Sequence, residues 1–84
     1  MMKLLNKPVE IICIFSKEGS ITPFKMRMED DNKNTLVYAI KPISVDKTKT
    51  LLNFHCTADM NGSEKKCNLH YYVAEMKWIL YSML

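Results

Sequence analysis

Hydrophobic and polar positions alternate along much of this chain, and the alternation predicts β-strands. In the segment 21–29, Met26 and Met28 fall on one face, whereas Lys25 and Arg27 fall on the other. A repeat of two residues is typical of a strand with one face buried. Helical spacing of apolar residues does not persist beyond a turn or two anywhere in the chain. The pattern therefore predicts an all-β protein.

Six apolar runs are separated by short polar segments that favour turns. The predicted strands are Val9–Phe15, Ile21–Glu29, Thr35–Val45, Leu51–Asp59, Glu64–Tyr72 and Lys77–Leu84. Asn61-Gly62 between the fourth and fifth runs is the strongest short signal for a hairpin. Because all connections are short, neighbouring strands are expected to pair antiparallel.

Prolines inside two of the runs indicate that the sheet bends. Pro23 and Pro42 cannot donate a ladder hydrogen bond, so they are expected at edges, bulges or bends. We predict one antiparallel sheet of about six strands, curled into a half-open SH3-like or OB-like barrel. Residues 1–84 form a single domain in this interpretation, with residues 1–7 as a disordered N-terminal segment.

Alternation and turn length together predict the strand register. Ile11 is expected opposite Phe24, Cys56 opposite Cys67, and Tyr71 beside Trp78. The four hairpins so aligned place their apolar side chains on one continuous face, and this agreement supports the fold. The predicted inner face comprises Val9, Ile11, Cys13, Phe24, Met26, Met28, Leu36, Tyr38, Ile40, Leu52, Phe54, Cys56, Leu69, Tyr71, Trp78 and Leu80.

Composition favours a folded cytoplasmic domain. The apolar fraction of 48% is ample for a core, and 25% charged residues argue against aggregation. The chain has three cysteines, whereas the disulfide framework of a small secreted domain usually needs a larger, even number. Neither a signal peptide nor a membrane span is apparent, so no membrane contact is expected. The net charge of +3 permits nucleic-acid binding without arguing for it.

The candidate chemical motifs are weak, and we predict neither an enzyme nor a cofactor. The segment 30–34 resembles half a calcium loop, but Thr35 and Lys41 stand where glycine and glutamate are needed. Cys56 and Cys67 are candidates for a redox switch or half a zinc site. Two buried thiols that behave as small hydrophobic groups are the favoured alternative, since zinc normally needs four ligands.

The outer face of the last three strands is the candidate binding surface. Its residues are His55, Lys66, Asn68, His70, Ile79 and Tyr81, with Met83 expected on the same face. The two histidines lack a third metal ligand. A polar and aromatic platform of this kind is typical of proteins that stack single-stranded nucleic acid. An ordinary solvated face, with its apolar residues covered by a loop or a partner subunit, is the favoured alternative.

Two further surfaces bear on partners. Lys25, Arg27 and Lys41 form an outer patch whose charge is partly neutralised by Glu10 and Glu29. The last strand, 77–84, is apolar on both faces, which is typical of a central strand or of an interface between subunits. A homodimer is therefore a reasonable hypothesis.

The chain resembles a family of short uncharacterised bacterial proteins. The resemblance rests on Pro8-Val9-Glu10-Ile11-Ile12-Cys13-Ile14-Phe15, on a second strand containing Gly19, Pro23 and Arg27, and on Lys77-Trp78-Ile79-Leu80. It implies a small barrel-like domain in a bacterial cytosol. It transfers no activity, ligand or functional residue.

The sequence thus favours a non-enzymatic module that binds another protein or a second copy of itself. Single-stranded nucleic-acid binding through the outer face of the last three strands is the alternative. A strong loss of affinity with salt would distinguish the second function from the first.

Overall fold

Six antiparallel strands close into a barrel. The computed structural model describes residues 3–84, with β1 at Lys3–Phe15, β2 at Ile21–Glu29, β3 at Thr35–Lys47, β4 at Leu51–Met60, β5 at Ser63–Tyr72 and β6 at Lys77–Met83. Each strand pairs with its neighbours in sequence, and β1 also pairs with β6. The prediction of one curled antiparallel sheet of six strands is confirmed. No helix long and apolar enough to cross a membrane occurs within residues 3–84.

The start of β1 corrects the predicted N-terminus. Residues 3–7, expected to be disordered, belong to the strand, where Lys3 lies opposite Met83 and Lys7 opposite Leu80. Lys7 Nζ also donates to the carbonyl oxygen of Glu29 at 2.5 Å. Polar residues obscured this part of the strand in the sequence. Met1 and Met2 lie outside the described residues.

The β4–β5 hairpin has the predicted register along its whole length. Asn61 and Gly62 have φ values of 57° and 85°, the left-handed pair that a tight hairpin turn requires. Asp59 Oδ1 accepts a hydrogen bond from the Gly62 amide at 3.0 Å, which holds the turn. Cys56 consequently lies opposite Cys67, as the sequence predicted.

The first hairpin corrects the predicted register by two residues. Ile11 lies opposite Met26, not Phe24. The turn needs one more residue than expected, with the Ser16 amide bonded to the Ser20 carbonyl at 2.9 Å. A bulge then adds Phe24 to β2, so Phe24 leaves the predicted core face.

The core lies inside the barrel and is centred on β4, β5 and β6. Its buried members are Met26, Ile40, Phe54, Cys56, Ala58, Cys67, Leu69, Tyr71 and Leu80. Trp78 packs across them, with ring centroids 4.8 Å from Tyr71 and 5.5 Å from Phe54. The predicted inner face is therefore largely the observed one.

The two internal prolines lie where β2 and β3 cease to pair. The β2–β3 ladder runs from Glu29 to Lys25, which lies opposite Ala39, and goes no further. Pro23 stands beside the β2 bulge and Pro42 beside a bulge in β3. Neither proline can donate the bonds that would extend the ladder. The predicted placement of prolines at bulges is confirmed.

Candidate interaction surface

The outer face of β4–β6 carries the predicted binding residues, and two of them are hydrogen-bonded to residues of neighbouring strands. His55 Nε2 lies 2.8 Å from Asp46 Oδ2 of β3, a partner that sequence reasoning missed. Asn68 Nδ2 donates to Ser82 Oγ at 2.9 Å. Each of these two contacts joins a pair of neighbouring strands. Lys66, by contrast, is exposed to solvent.

His70 lies at the centre of this face, beneath Tyr81. The two rings stack at 4.2 Å between centroids with 12° between their planes, and Tyr72 approaches the imidazole edge-on. His70 is only 9% exposed. Burial, and secondarily the charge of His55, lowers the pKa of His70. His70 Nδ1 and Asn53 Oδ1 are buried without a hydrogen-bond partner among residues 3–84.

A bulge in β6 corrects one predicted side-chain direction. Leu69 lies opposite Leu80 but Asn68 lies opposite Ser82, so Tyr81 is the extra residue. The alternation reverses after it, and Met83 packs against the core rather than on the outer face. Ile79 is half-buried beside His70. The apolar outer surface predicted for β6 is therefore reduced mainly to Tyr81, which is 38% exposed.

This face has limited means of binding a ligand. Lys66 is the one lysine or arginine among the predicted site residues. Within the described part of the chain, no group of three or more metal-ligating side chains is placed to hold an ion. One ring face of Tyr81 is occupied by His70. Nucleic-acid binding here stays a prediction, and the geometry adds little to it.

Cys56 and Cys67 are free thiols inside the core, each 1% exposed. Burial, with the neighbouring Cys67, raises the pKa of Cys56 to about 12. Burial raises the pKa of Cys67 to about 11. Thiols of this kind are protonated near neutrality and pack as small hydrophobic groups. The favoured interpretation from the sequence agrees with this placement.

The basic outer patch is neutralised at one of its three residues, Arg27, by the predicted Glu10. Arg27 makes a two-pronged contact with Glu10, with Nη2 2.7 Å from Oε2 and Nε 3.0 Å from Oε1. The Arg27 hydrogen bonds, and then its charge, hold the pKa of Glu10 below its ordinary value. Arg27 is therefore already paired with a carboxylate of its own chain.

A different surface stands out, at the end of the barrel that carries the β1–β2, β3–β4 and β5–β6 turns. Of the eleven large hydrophobic side chains exposed in residues 3–84, seven lie here. We call this set the apolar end: Ile12, Ile14, Phe15, Ile43, Val45, Val73 and Met76. A concentration of exposed apolar side chains in one region of a protein is typical of interaction sites.

The apolar end exists because the β1–β2 hairpin separates from both of its neighbours. The β1–β6 ladder stops at Val9, opposite Trp78, and the β2–β3 ladder stops at Lys25. A cleft of about 360 Å³ opens between Ile21 and Val45, on the β3 side. A second cleft, of about 580 Å³, opens between Ile11 and Met76, on the β6 side.

Sequence reasoning missed this surface although a signal was present. Residues 11–15 are apolar at every position, so both faces of the strand are hydrophobic. The same property in β6 suggested an interface. In β6 the bulge and the closed barrel bury most of that surface, whereas in β1 the hairpin leaves Ile14 and Phe15 58% and 66% exposed.

The fold and the site define a class of protein: a closed antiparallel barrel of six strands in sequential order, with an apolar end. No family model, curated protein or solved structure matches the chain. The resemblance to short bacterial proteins therefore stays a prediction.

Proposed function

We propose that this protein is a non-enzymatic interaction module that associates with a second copy of itself through the apolar end. The observation that carries the proposal is the concentration of seven exposed hydrophobic side chains at one end of the barrel. Water-exposed apolar surface is costly, and covering it on another protein recovers part of that cost.

The flanking chemistry is also that of an interface. The charged residues Lys17 and Glu18 lie in the β1–β2 turn, Lys47 ends β3 and Glu75 lies in the β5–β6 turn, so charged and apolar side chains share this end of the barrel. An apolar centre with a polar rim is the usual anatomy of a protein–protein interface. By contrast, part of the outer face of β4–β6 is occupied by its own contacts, His55 with Asp46 and His70 with Tyr81.

Sedimentation equilibrium of the purified chain, from about 1 to 300 μM, tests the proposal against two matched lysine variants. Phe15→Lys places a charge on the apolar end, and Leu4→Lys places one near the other end of the same strand. The two side chains are 66% and 64% exposed, so neither variant removes a core residue. We expect Phe15→Lys to raise the dimer dissociation constant at least tenfold, about 1.4 kcal/mol, because burying an unpaired charge opposes association.

Leu4→Lys is expected to leave the dissociation constant within about twofold, since a change in an uncovered position costs far less than a tenfold step. A wild-type chain that is monomeric over the whole concentration range would overturn the proposal. Equal effects of the two variants would show that association does not use the apolar end.

A further inference from the structure

β1 changes partners along its length and leaves one edge open. Its first half pairs with β6 as far as Val9, whereas its second half pairs with β2 up to Phe15. The barrel is therefore closed along residues 3–9 of β1. Along residues 10–15, the side of β1 that faces β6 has no neighbouring strand within the described residues.

The backbone groups on this open edge can be identified from the turn. The Ser16 amide donates to Ser20 and thus points toward β2. Because successive residues of an antiparallel ladder point to opposite sides, Ile14 and Ile12 also point toward β2. The amide and carbonyl groups of Ile11, Cys13 and Phe15 consequently point outward.

The space beside this edge is accessible. The β5–β6 turn is bonded on its β4 side, where the Val73 amide donates to the Thr50 carbonyl at 3.0 Å. The cleft of about 580 Å³ between Ile11 and Met76 lies along the line that β6 would follow if it continued. An added strand would enter there.

The open edge of β1 also lacks the features that usually prevent strand addition. Natural edges carry prolines or inward charges that block another strand. On the other side of the hairpin, Pro23 and Pro42 provide this protection. Residues 11–15 contain neither a proline nor a charge.

We propose that two copies of this chain pair through the open edges of β1, antiparallel, with Cys13 on the two-fold axis. In this register Cys13 meets Cys13 of the other copy, and Ile11 meets Phe15, so all three outward positions are bonded. A two-fold interface must be self-complementary, and a strand without charges meets its own copy without repulsion. This inference rests on the proposed function and specifies its geometry.

The available area is sufficient for a modest dimer. A large apolar side chain offers roughly 100 Å² of surface when it is fully exposed. Five exposed apolar residues lie on the outer part of β1 or in the β5–β6 turn beside the open edge, and they are 42–76% exposed: Ile12, Ile14, Phe15, Val73 and Met76. Together they expose roughly 300 Å² of apolar surface on each copy. If about 57% of the interface area is apolar, as is usual, the two copies would bury about 1,000 Å² in total, which is the lower bound for a specific interface.

Cross-linking through Cys13 tests the register. Residues directly opposite in such a pair have Cα atoms about 5.5 Å apart, within reach of a short bifunctional methanethiosulfonate. Cys56 and Cys67 are buried, whereas Cys13 is partly exposed and is therefore the most accessible of the three thiols. We expect most of the dimer present in sedimentation to become a covalent dimer on non-reducing gels, and none to form with Cys13→Ser.

The matched control moves the thiol to the other end of the strand, as Leu4→Cys in a Cys13→Ser background. It is expected to give less than about a tenth of the wild-type cross-linking, equivalent to about 1.4 kcal/mol, because Leu4 lies in the part of β1 that pairs with β6, away from the open edge. A dimer in sedimentation without a Cys13 cross-link, or with equal cross-linking in the control, would overturn this register and leave the proposed function standing. A monomer in sedimentation would overturn both.

Discussion

At the scale of single residues, His70 is a buried base on an outer face. Tyr81 covers one side of its ring, and its Nδ1 has no hydrogen-bond partner among residues 3–84. Burial and the charge of His55 both lower its pKa in the folded state. The unfolded chain therefore binds a proton at this residue more readily than the folded chain.

This difference predicts a pH dependence of stability. The contribution of His70 is fully present above its ordinary pKa of about 6.5 and is lost as the pH falls below that value. We expect the free energy of unfolding in urea to decrease from pH 7.5 to pH 5, and to decrease less steeply in His70→Gln. His55→Gln removes the charge that is the second cause of the lowered pKa of His70, so it should lessen the slope too, but by less than His70→Gln. An identical slope in His70→Gln and the wild type would contradict the prediction.

At the scale of strands, bulges decide which faces the side chains occupy. Side chains of a regular β6 would alternate between the two faces, yet the extra residue at Tyr81 reverses the direction of the side chains after it. Met83 contacts the core and Leu84 is 53% exposed. Strict alternation places Met83 outside, so the two arrangements make opposite predictions.

Lysine substitutions at the adjacent positions 83 and 84 distinguish a bulged β6 from a regular one. We expect Met83→Lys to lower the free energy of unfolding by about 2 kcal/mol, because it loses apolar burial and brings a charge toward the core. Leu84→Lys should change it by less than about 0.5 kcal/mol, as is usual for exposed positions. Chemical denaturation monitored by Trp78 fluorescence measures both. The reverse order of the two effects would show that the bulge is absent.

The strands themselves were largely predictable from the sequence. The bounds of β2 match the prediction, because a clear alternation is bordered by turn residues. The Asn61-Gly62 turn fixed the β4–β5 register since its φ values allow one geometry. The first hairpin escaped prediction because a longer turn and the bulge at Phe24 each add a residue, and neither has a distinctive sequence signal.

The candidate site was much less predictable than the strands. Outer-face neighbours such as His55 and Asn68 follow from the register of one hairpin, and they were placed correctly. The apolar end depends on where two ladders stop, at Val9 and Lys25. Such endpoints arise from the curvature of the whole barrel, which no local pattern in the sequence describes.

At the scale of the whole molecule, the fold depends on one ladder between distant parts of the chain. Residues 3–9 of β1 close the ring by pairing with β6, and Leu5 packs against the core. Without them the ring would open, and β6 would present an apolar edge. Unprotected edges of this kind promote aggregation.

Truncation tests this dependence. We expect a chain that begins at Pro8 to lose at least about 2 kcal/mol of stability, because it gives up a ladder and buried apolar area. It should also aggregate at concentrations where the full chain does not. A chain that begins at Lys3 keeps every described contact and serves as the control. Equal thermal midpoints for the two truncated chains would indicate that residues 3–7 do not close the barrel.

The sequential order of the strands has a consequence for how the chain folds. Five of the six ladders join strands that are consecutive in sequence, so each can form by closing a short loop at small entropic cost. The sixth joins Lys3 to Met83 and requires nearly the whole chain to be ordered first. Contacts of such long separation form late, since their loop-closure entropy is recovered only when the neighbouring ladders are in place. We therefore expect the seam between β1 and β6 to form last, after the five hairpins that join consecutive strands.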